Sequence, residues 1–354
     1  MEASSIDQVL HFPEERLIEF IEKKMQEGEH ELIQQLVDKK ITLEPTNLKL
    51  VVLKANLLID MGHWDQGYEL LISLLQTEEG QKCAEVYMGL AQMTTELDSV
   101  QYYTQGLDIY LKELKEFNGT ESGLIDLKRK ISDSFIALTE LYLTDLCFEP
   151  DAEKRCENYL SQAIQIDNKN SIIYQTLASV RLSQHREEEA KECLLSSFNL
   201  WYNKPEVTPP IYQTRSALAR MFIETSMMEE ALQVLEHLNA EDNSSVETWY
   251  LFGLCNYLSA QKEEELQNED EASKGFEYYK DSWECLLTAS KLANDCGYDD
   301  YEVLKHIEEL KMDILARYPG LENHDLEEEK ETGDGENLEE VDFYTDEEEE
   351  EAME

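Results

Sequence analysis

Most side chains in this sequence that could do chemistry are carboxylates: Asp and Glu number 78 against 30 Lys and Arg, a formal net charge of −48. Among them Asp60, Glu85, Glu96, Asp133, Glu140, Glu224 and Glu247 recur at helical spacing, interspersed with Tyr250 and Tyr257. Lys49 and Arg220 are the basic residues at comparable places. No two carboxylates are set apart as general acid and base. What such a set can do is draw in Lys and Arg side chains, with tyrosine faces adding stacking and cation–π contact. The residues named are therefore the candidate contacts for a basic polypeptide client.

The competing chemistries lack their motifs. No glycine-rich phosphate loop and no Gly-x-Ser-x-Gly elbow is present. His30-Glu31 opens a zinc-protease motif, but Gln34 stands where the second histidine must be. His63, His185, His237 and His306 are isolated, and the seven cysteines form no Cys-x-x-Cys pair. Cys156, Cys193, Cys255 and Cys285 fall in apolar helical stretches and read as buried thiols. No catalytic residue, cofactor or metal is expected, and the chain is not expected to be an enzyme. Its charge repels nucleic acid and anionic membranes. The N-terminus, with Glu2 and Asp7, has no apolar run of the kind that marks a signal peptide. The expected partner is a protein, bound by a monomer.

The elements that must position these residues are helices. Glycine and proline are scarce, at 14 and 7. From Ser171 to Tyr202, Tyr174, Leu177 and Ala178 fall at places four, seven and eight of one helix. Ala190, Leu194 and Ser197 fall at places twenty, twenty-four and twenty-seven, on a second. This resembles the tetratricopeptide (TPR) repeat, in which small residues at eight and twenty let two helices approach closely. The register returns in Leu218, Ala219, Phe222 with Ala231, Leu235, Leu238. It returns again in Trp249, Phe252, Gly253, with a second helix resuming near Trp283 after a charged insertion at Glu263–Asp270. Upstream it is weaker: Phe135 to Tyr142 with Cys156 to Ala163, Tyr87 to Ala91 with Tyr103 to Tyr110, and Val51 to Leu58 with Gly67 and Leu71. The expected fold is all-α, a right-handed superhelical solenoid of about six TPR-like hairpins. In that fold the first helix of each hairpin lines the concave face, where the candidate residues would lie.

The flanks differ from the repeats. Residues 1–47 read as N-terminal capping helices, through Leu17, Ile18, Ile21, Leu32, Ile33 and Leu36. Repeats fill 48–298, and a capping helix fills 299–320 through Val303, Ile307, Leu310 and Ile314, before Pro319-Gly320. Residues 321–354 hold about eighteen acids and one lysine, too little apolar surface to offset the entropy of ordering, so a disordered acidic tail is expected. The tail carries about a third of the excess charge; the repeats carry the rest.

The chain also resembles a narrower group, the fungal TPR-type assembly chaperones dedicated to large-subunit ribosomal protein four. The resemblance lies in Ser216-Ala-Leu-Ala219 with Glu229-Glu-Ala-Leu232, in Glu247-Thr-Trp-Tyr-Leu-Phe-Gly253, in the acidic insertion after it and in the acidic tail. It implies a chaperone that binds the newly made client, shields a long basic loop from RNA, and moves between cytoplasm and nucleus to deliver it to pre-ribosomes. Lys128-Arg129-Lys130 is too short for a nuclear localisation signal, so import would rely on the client's own basic signals. Charge by itself leaves two other readings open: an acidic TPR histone chaperone, and a scaffold subunit of a larger complex.

Overall fold

The computed structural model describes residues 28–44, 47–266 and 272–321, with scattered positions between 9 and 24. The tail after Leu321 and Ile18 of the N-terminal region lie outside the described residues. Those described form helices and no strand. They divide into two compact units, Met1–Thr214 and Arg215–Glu354.

In the first unit α1 (His30–Leu43) precedes four hairpins. These are α2 (Leu48–Asp60) with α3 (Trp64–Leu74), α4 (Ala84–Met93) with α5 (Glu96–Glu116), α6 (Glu121–Leu143) with α7 (Ala152–Ile166), and α8 (Ser171–Ser183) with α9 (Glu187–Asn199). The second unit opens within α10 (Tyr212–Glu224), which pairs with α11 (Met228–Glu241). There follow α12 (Val246–Leu266) with α13 (Ala272–Cys296), then α14 (Tyr301–Arg317). Six hairpins with a helix before and a helix after is the all-α TPR-type repeat fold that the spacing predicts.

Local chemistry sets the helix ends. Thr120, Asn170 and Asp300 cap α6, α8 and α14 by accepting backbone N–H groups, Asp300 from both Glu302 and Val303 at 3.1 Å. Three hairpins turn in the same way. After α2, α8 and α10 the chain passes through a left-handed residue, Gly62 (φ 80), His185 (φ 58) and Ser226 (φ 60). The next N–H then reaches back five residues: His63 to Leu58, Arg186 to Arg181 and Met227 to Phe222, at 2.7 to 2.9 Å. This satisfies carbonyls that the helix end leaves unpaired. Only the first of the three turns uses glycine, for which that conformation carries no steric cost.

Small residues bring the hairpin helices together. Ala55 faces Gly67, where an added Cβ would lie 3.0 Å from the Ala55 carbonyl oxygen. Ala178 and Ala190, and Ala219 and Ala231, are fully buried at the equivalent places. The remaining hairpins reach the same closeness with other residues. The Ser99 hydroxyl donates to the Ala91 carbonyl at 2.6 Å, Cys156 Sγ lies 3.7 Å from the Thr139 carbonyl, and the Ser282 hydroxyl donates to the Gly253 carbonyl at 2.7 Å.

Within each unit, hairpins bury their outer side chains against their neighbours. In the first unit Tyr103, Leu107, Phe135, Leu138, Leu160 and Ile173 share one core across successive hairpins. Leu17, Ile21, Ile33 and Leu36 close its start against Leu50 and Leu57, which agrees with capping. In the second unit Tyr279, Trp283, Leu286, Ile307, Leu310 and Ile314 form the closing core.

Three details refine the expectation. α13 begins at Ala272, well before Trp283, because Phe276 and Tyr279 extend the apolar stripe and pack on Tyr318 at 5.1 and 5.5 Å between ring centroids. Residues 263–266 of the charged insertion continue α12. Leu321, grouped by composition with the tail, is buried in the closing core.

Candidate protein-binding face

The first helices of successive hairpins pack beside each other, as α2 with α4, α6 with α8 and α12 with α14. Side chains at the middle of these helices consequently meet a neighbour as well as solvent. Five of the nine candidates are engaged in this way, and together they form polar seams within each unit.

In the first unit Glu85 Oε1 of α4 accepts from Lys130 Nζ of α6 at 2.8 Å. Burial alone would raise the Glu85 carboxyl, but the hydrogen bond and charge of Lys130 outweigh it and hold the group below the usual carboxylate range. Asp133 Oδ1 of α6 accepts from Asn170 Nδ2 at 3.1 Å, and the same amide reaches the Ser132 hydroxyl at 3.1 Å. Asn170 thus caps α8 with its oxygen and ties α8 to α6 with its nitrogen. Here desolvation prevails over the amide bond, and the Asp133 carboxyl sits above its usual value.

In the second unit Glu247 of α12 accepts from the Ser216 hydroxyl at 2.5 Å and pairs with Arg220, both on α10. The Tyr250 hydroxyl meets His306 Nδ1 of α14 at 2.8 Å. Tyr257 donates to Asp313 Oδ2 at 2.7 Å and is only 9% exposed. Burial raises the Tyr257 phenol to about 12, so it stays a donor across the physiological range. Tyr257 is a core residue whose ring packs on Tyr279, not an open aromatic contact. Arg220, one of the two basic residues at these places, pairs with Glu247.

The other four candidates are exposed, and none has an ion pair among the described residues. Asp60 is the last residue of α2 and Glu224 the last of α10. Glu96 opens α5 with φ 53, so it lies in the turn of its hairpin rather than along a first helix. Glu140 sits in the last turn of α6, where partial burial holds its carboxyl above the usual range. The open negative charge therefore lies toward the ends of the helices.

The reading from spacing missed the seam partners Lys130, Asn170, His306 and Asp313. Lys130 and Asn170 lie on the next hairpin's first helix or at its cap, and His306 and Asp313 on the closing helix α14; for Lys130, a carboxylate facing a cation one repeat later is the signal that could have found it. Among the described residues no group of three or more His, Cys, Asp and Glu is placed to hold a metal ion. Burial pushes the thiols of Cys156, Cys255 and Cys285 up to about 11, 12 and 12, which makes them inert at neutral pH. Among the described residues no helix is long and apolar enough to cross a membrane.

No family model matches the chain. A protein of Schizosaccharomyces pombe described as a probable assembly chaperone of rpl4 is 37% identical over 263 residues, covering 73% of this chain and 76% of its own. One of Emericella nidulans with the same description is 33% identical over 331 residues, covering 87% and 82%. Among solved structures, the assembly chaperone of RpL4 (Acl4, residues 1–338) superposes with a TM-score of 0.60 at 29% identity, over 73% of this chain and all of its own. With identity of this order across most of the repeat array, and with the same helical architecture, the chain belongs to the family of assembly chaperones of rpl4.

Proposed function

We propose that this protein is a non-enzymatic, stoichiometric chaperone that holds newly made ribosomal protein L4 against the first-helix face of its hairpins. It takes the client up in the cytoplasm as a monomer and delivers it to nuclear pre-ribosomes. The observation that carries the reading is the exposed, unpaired set Asp60, Glu140 and Glu224, with Glu96 in an adjoining turn, on a chain of net charge −48 whose relatives carry the L4 description. A basic segment of L4 released from the ribosome is drawn to RNA and to other polyanions. Carboxylates exposed on the helices of each unit compete for it by raising its association rate and neutralising its charge. Transfer follows when ribosomal RNA, with its denser phosphate charge, outcompetes the face.

The seams refine which residues carry this role. Glu85, Asp133 and Glu247 hold hairpins in register, and reversing their charge would disturb the scaffold as well as the face. The test therefore uses the open acids. Purified wild-type protein is titrated with purified L4 at low and high salt, beside a variant combining Asp60→Lys, Glu140→Lys and Glu224→Lys. The triple variant should bind about ten- to a hundredfold more weakly at low salt, and the difference should shrink as salt screens it. Equal affinity of the two proteins would remove the face from the mechanism. Preferential binding of histones over L4 would move the client to the histone class.

A further inference from the structure

The first unit carries an exposed aromatic patch away from the seams. Trp64, the first residue of α3, is 56% exposed, and Tyr68, one turn later on the same side, is 36% exposed. Trp201 and Trp283 are buried at 3% and 5%, and the Trp249 indole donates to the Asn243 carbonyl at 2.8 Å. Trp64 is the one tryptophan of the chain that presents most of its surface to solvent.

Trp64, Asp65 and Tyr68 meet Met93 and Thr94 of the α4–α5 turn around a shallow pocket of about 360 Å³. Tyr102 of α5 lies beside Tyr68, and Leu97, exposed, leaves the same turn. The patch thus combines aromatic faces, a thioether and an aliphatic side chain from two consecutive hairpins.

Its surroundings are anionic. From Ala55 to Leu111 the sequence holds nine carboxylates and a single basic residue, Lys82, which is itself paired with Glu78. Asp65 and Glu69 share α3 with the aromatics, and Glu96 and Asp98 open α5 beside Leu97, all of them exposed. Exposed apolar surface rimmed by polar groups marks interaction surfaces. A cation over a ring face is favoured electrostatically, most of all on tryptophan.

We propose that this patch is a second docking surface for the protein client, taking an extended basic segment that places an Arg or Lys over Trp64 and an aliphatic neighbour against Tyr68 and Met93. The proposal rests on the client reading above. Charge selects the occupant: the carboxylates attract a basic segment and exclude an acidic one, and a second copy of this chain is repelled. The patch lies at hairpin turns rather than along the first helices, so it would hold a different stretch of the client from the one on the seam-bearing face.

The test compares the full chain with Trp64→Phe and with the double variant Trp64→Ala/Tyr68→Ala, using purified L4 and isothermal titration at low and high salt. The double variant should bind about five- to fiftyfold more weakly, and the deficit should persist at high salt because part of it is apolar. Trp64→Phe, which keeps a ring face, should recover most of the affinity. All three proteins should unfold at the same temperature. Equal L4 affinity of wild type and double variant overturns the patch and leaves the client reading intact. If wild type does not bind L4, the client reading falls, and a synthetic peptide alternating Arg and Leu becomes the probe. Quenching of tryptophan emission by that peptide in wild type but not in Trp64→Phe supports the patch; identical responses overturn it.

Discussion

Lys130 Nζ lies 2.8 Å from Glu85 Oε1, joining the first helices of two successive hairpins across 45 residues of sequence. A residue that spacing alone marks as a ligand contact is thereby shown to be part of the scaffold. Both side chains remain partly exposed, at 51% and 39%, so the pair contributes modestly. Glu85→Gln should cost about 0.2 to 1 kcal/mol of stability at neutral pH. The sign with pH follows from the lowered folded pKa. The contribution is complete above the unfolded glutamate value of about 4.3 and is lost as pH falls below it through the folded value. Denaturant titrations of wild type and Glu85→Gln from neutral to acidic pH should converge at the acid end; a constant gap would show that charge is not the cause.

Ser226 occupies the turn after α10 at φ 60, where Gly62 serves the equivalent turn after α2 at φ 80. Ser226 bears a Cβ that this conformation crowds, and its hydroxyl is not needed for the backbone bond from Met227 to Phe222. Ser226→Gly should raise stability by about 0.5 to 1 kcal/mol, less any gain in unfolded-chain entropy. His185→Gly should act in the same direction after α8. Thermal unfolding followed by circular dichroism reads both, and a lowered midpoint would refute the common-turn account.

Gly253 shows the opposite constraint. An added Cβ would come within 2.7 Å of Cγ and Cδ2 of Leu286. Those atoms belong to a fully buried side chain in the closing core, which has little room to give. Gly253→Ala gains helix propensity but must displace Leu286, and the net effect should be a loss of about 1 to 3 kcal/mol. A calorimetric midpoint at or above that of wild type would show that the core relaxes.

Tyr257 separates contact from scaffold. Its hydroxyl donates to Asp313 and accepts from Gln261 at 3.0 Å. Tyr257→Phe should cost about 1 to 2 kcal/mol, because two partners lose a bond in a partly buried site. L4 affinity should change less than twofold. A large loss of affinity with unchanged stability would return Tyr257 to the binding face.

How far the repeats were legible tracks how strictly each hairpin keeps the small-residue spacing. Ala178 with Ala190 and Ala219 with Ala231 stand twelve places apart, and both hairpins were read directly from the chain. Ala55 with Gly67 keeps the same spacing, whereas closest approach in the other three hairpins is made by Ala91 with Ser99, Thr139 with Cys156 and Gly253 with Ser282. Those three pairs stand at other separations, because the turns and helices between them differ in length. There the register blurs, and α13 begins earlier than the spacing predicts.

Composition and period determined, without coordinates, that this is an acidic all-α repeat protein with capped ends. Those properties are sums or local periodicities, and a sequence states them directly. The tertiary structure decided which carboxylates are open. Asp60, Glu140 and Glu224 end their helices in solvent, whereas Glu85, Asp133 and Glu247 meet Lys130, Asn170 and Arg220 from the neighbouring hairpin. It also turned Trp64 outward beside Met93 and Thr94. Both outcomes depend on the angle and offset at which one hairpin stacks on the next. That geometry comes from packing between residues far apart in the chain, and no single helical period contains it.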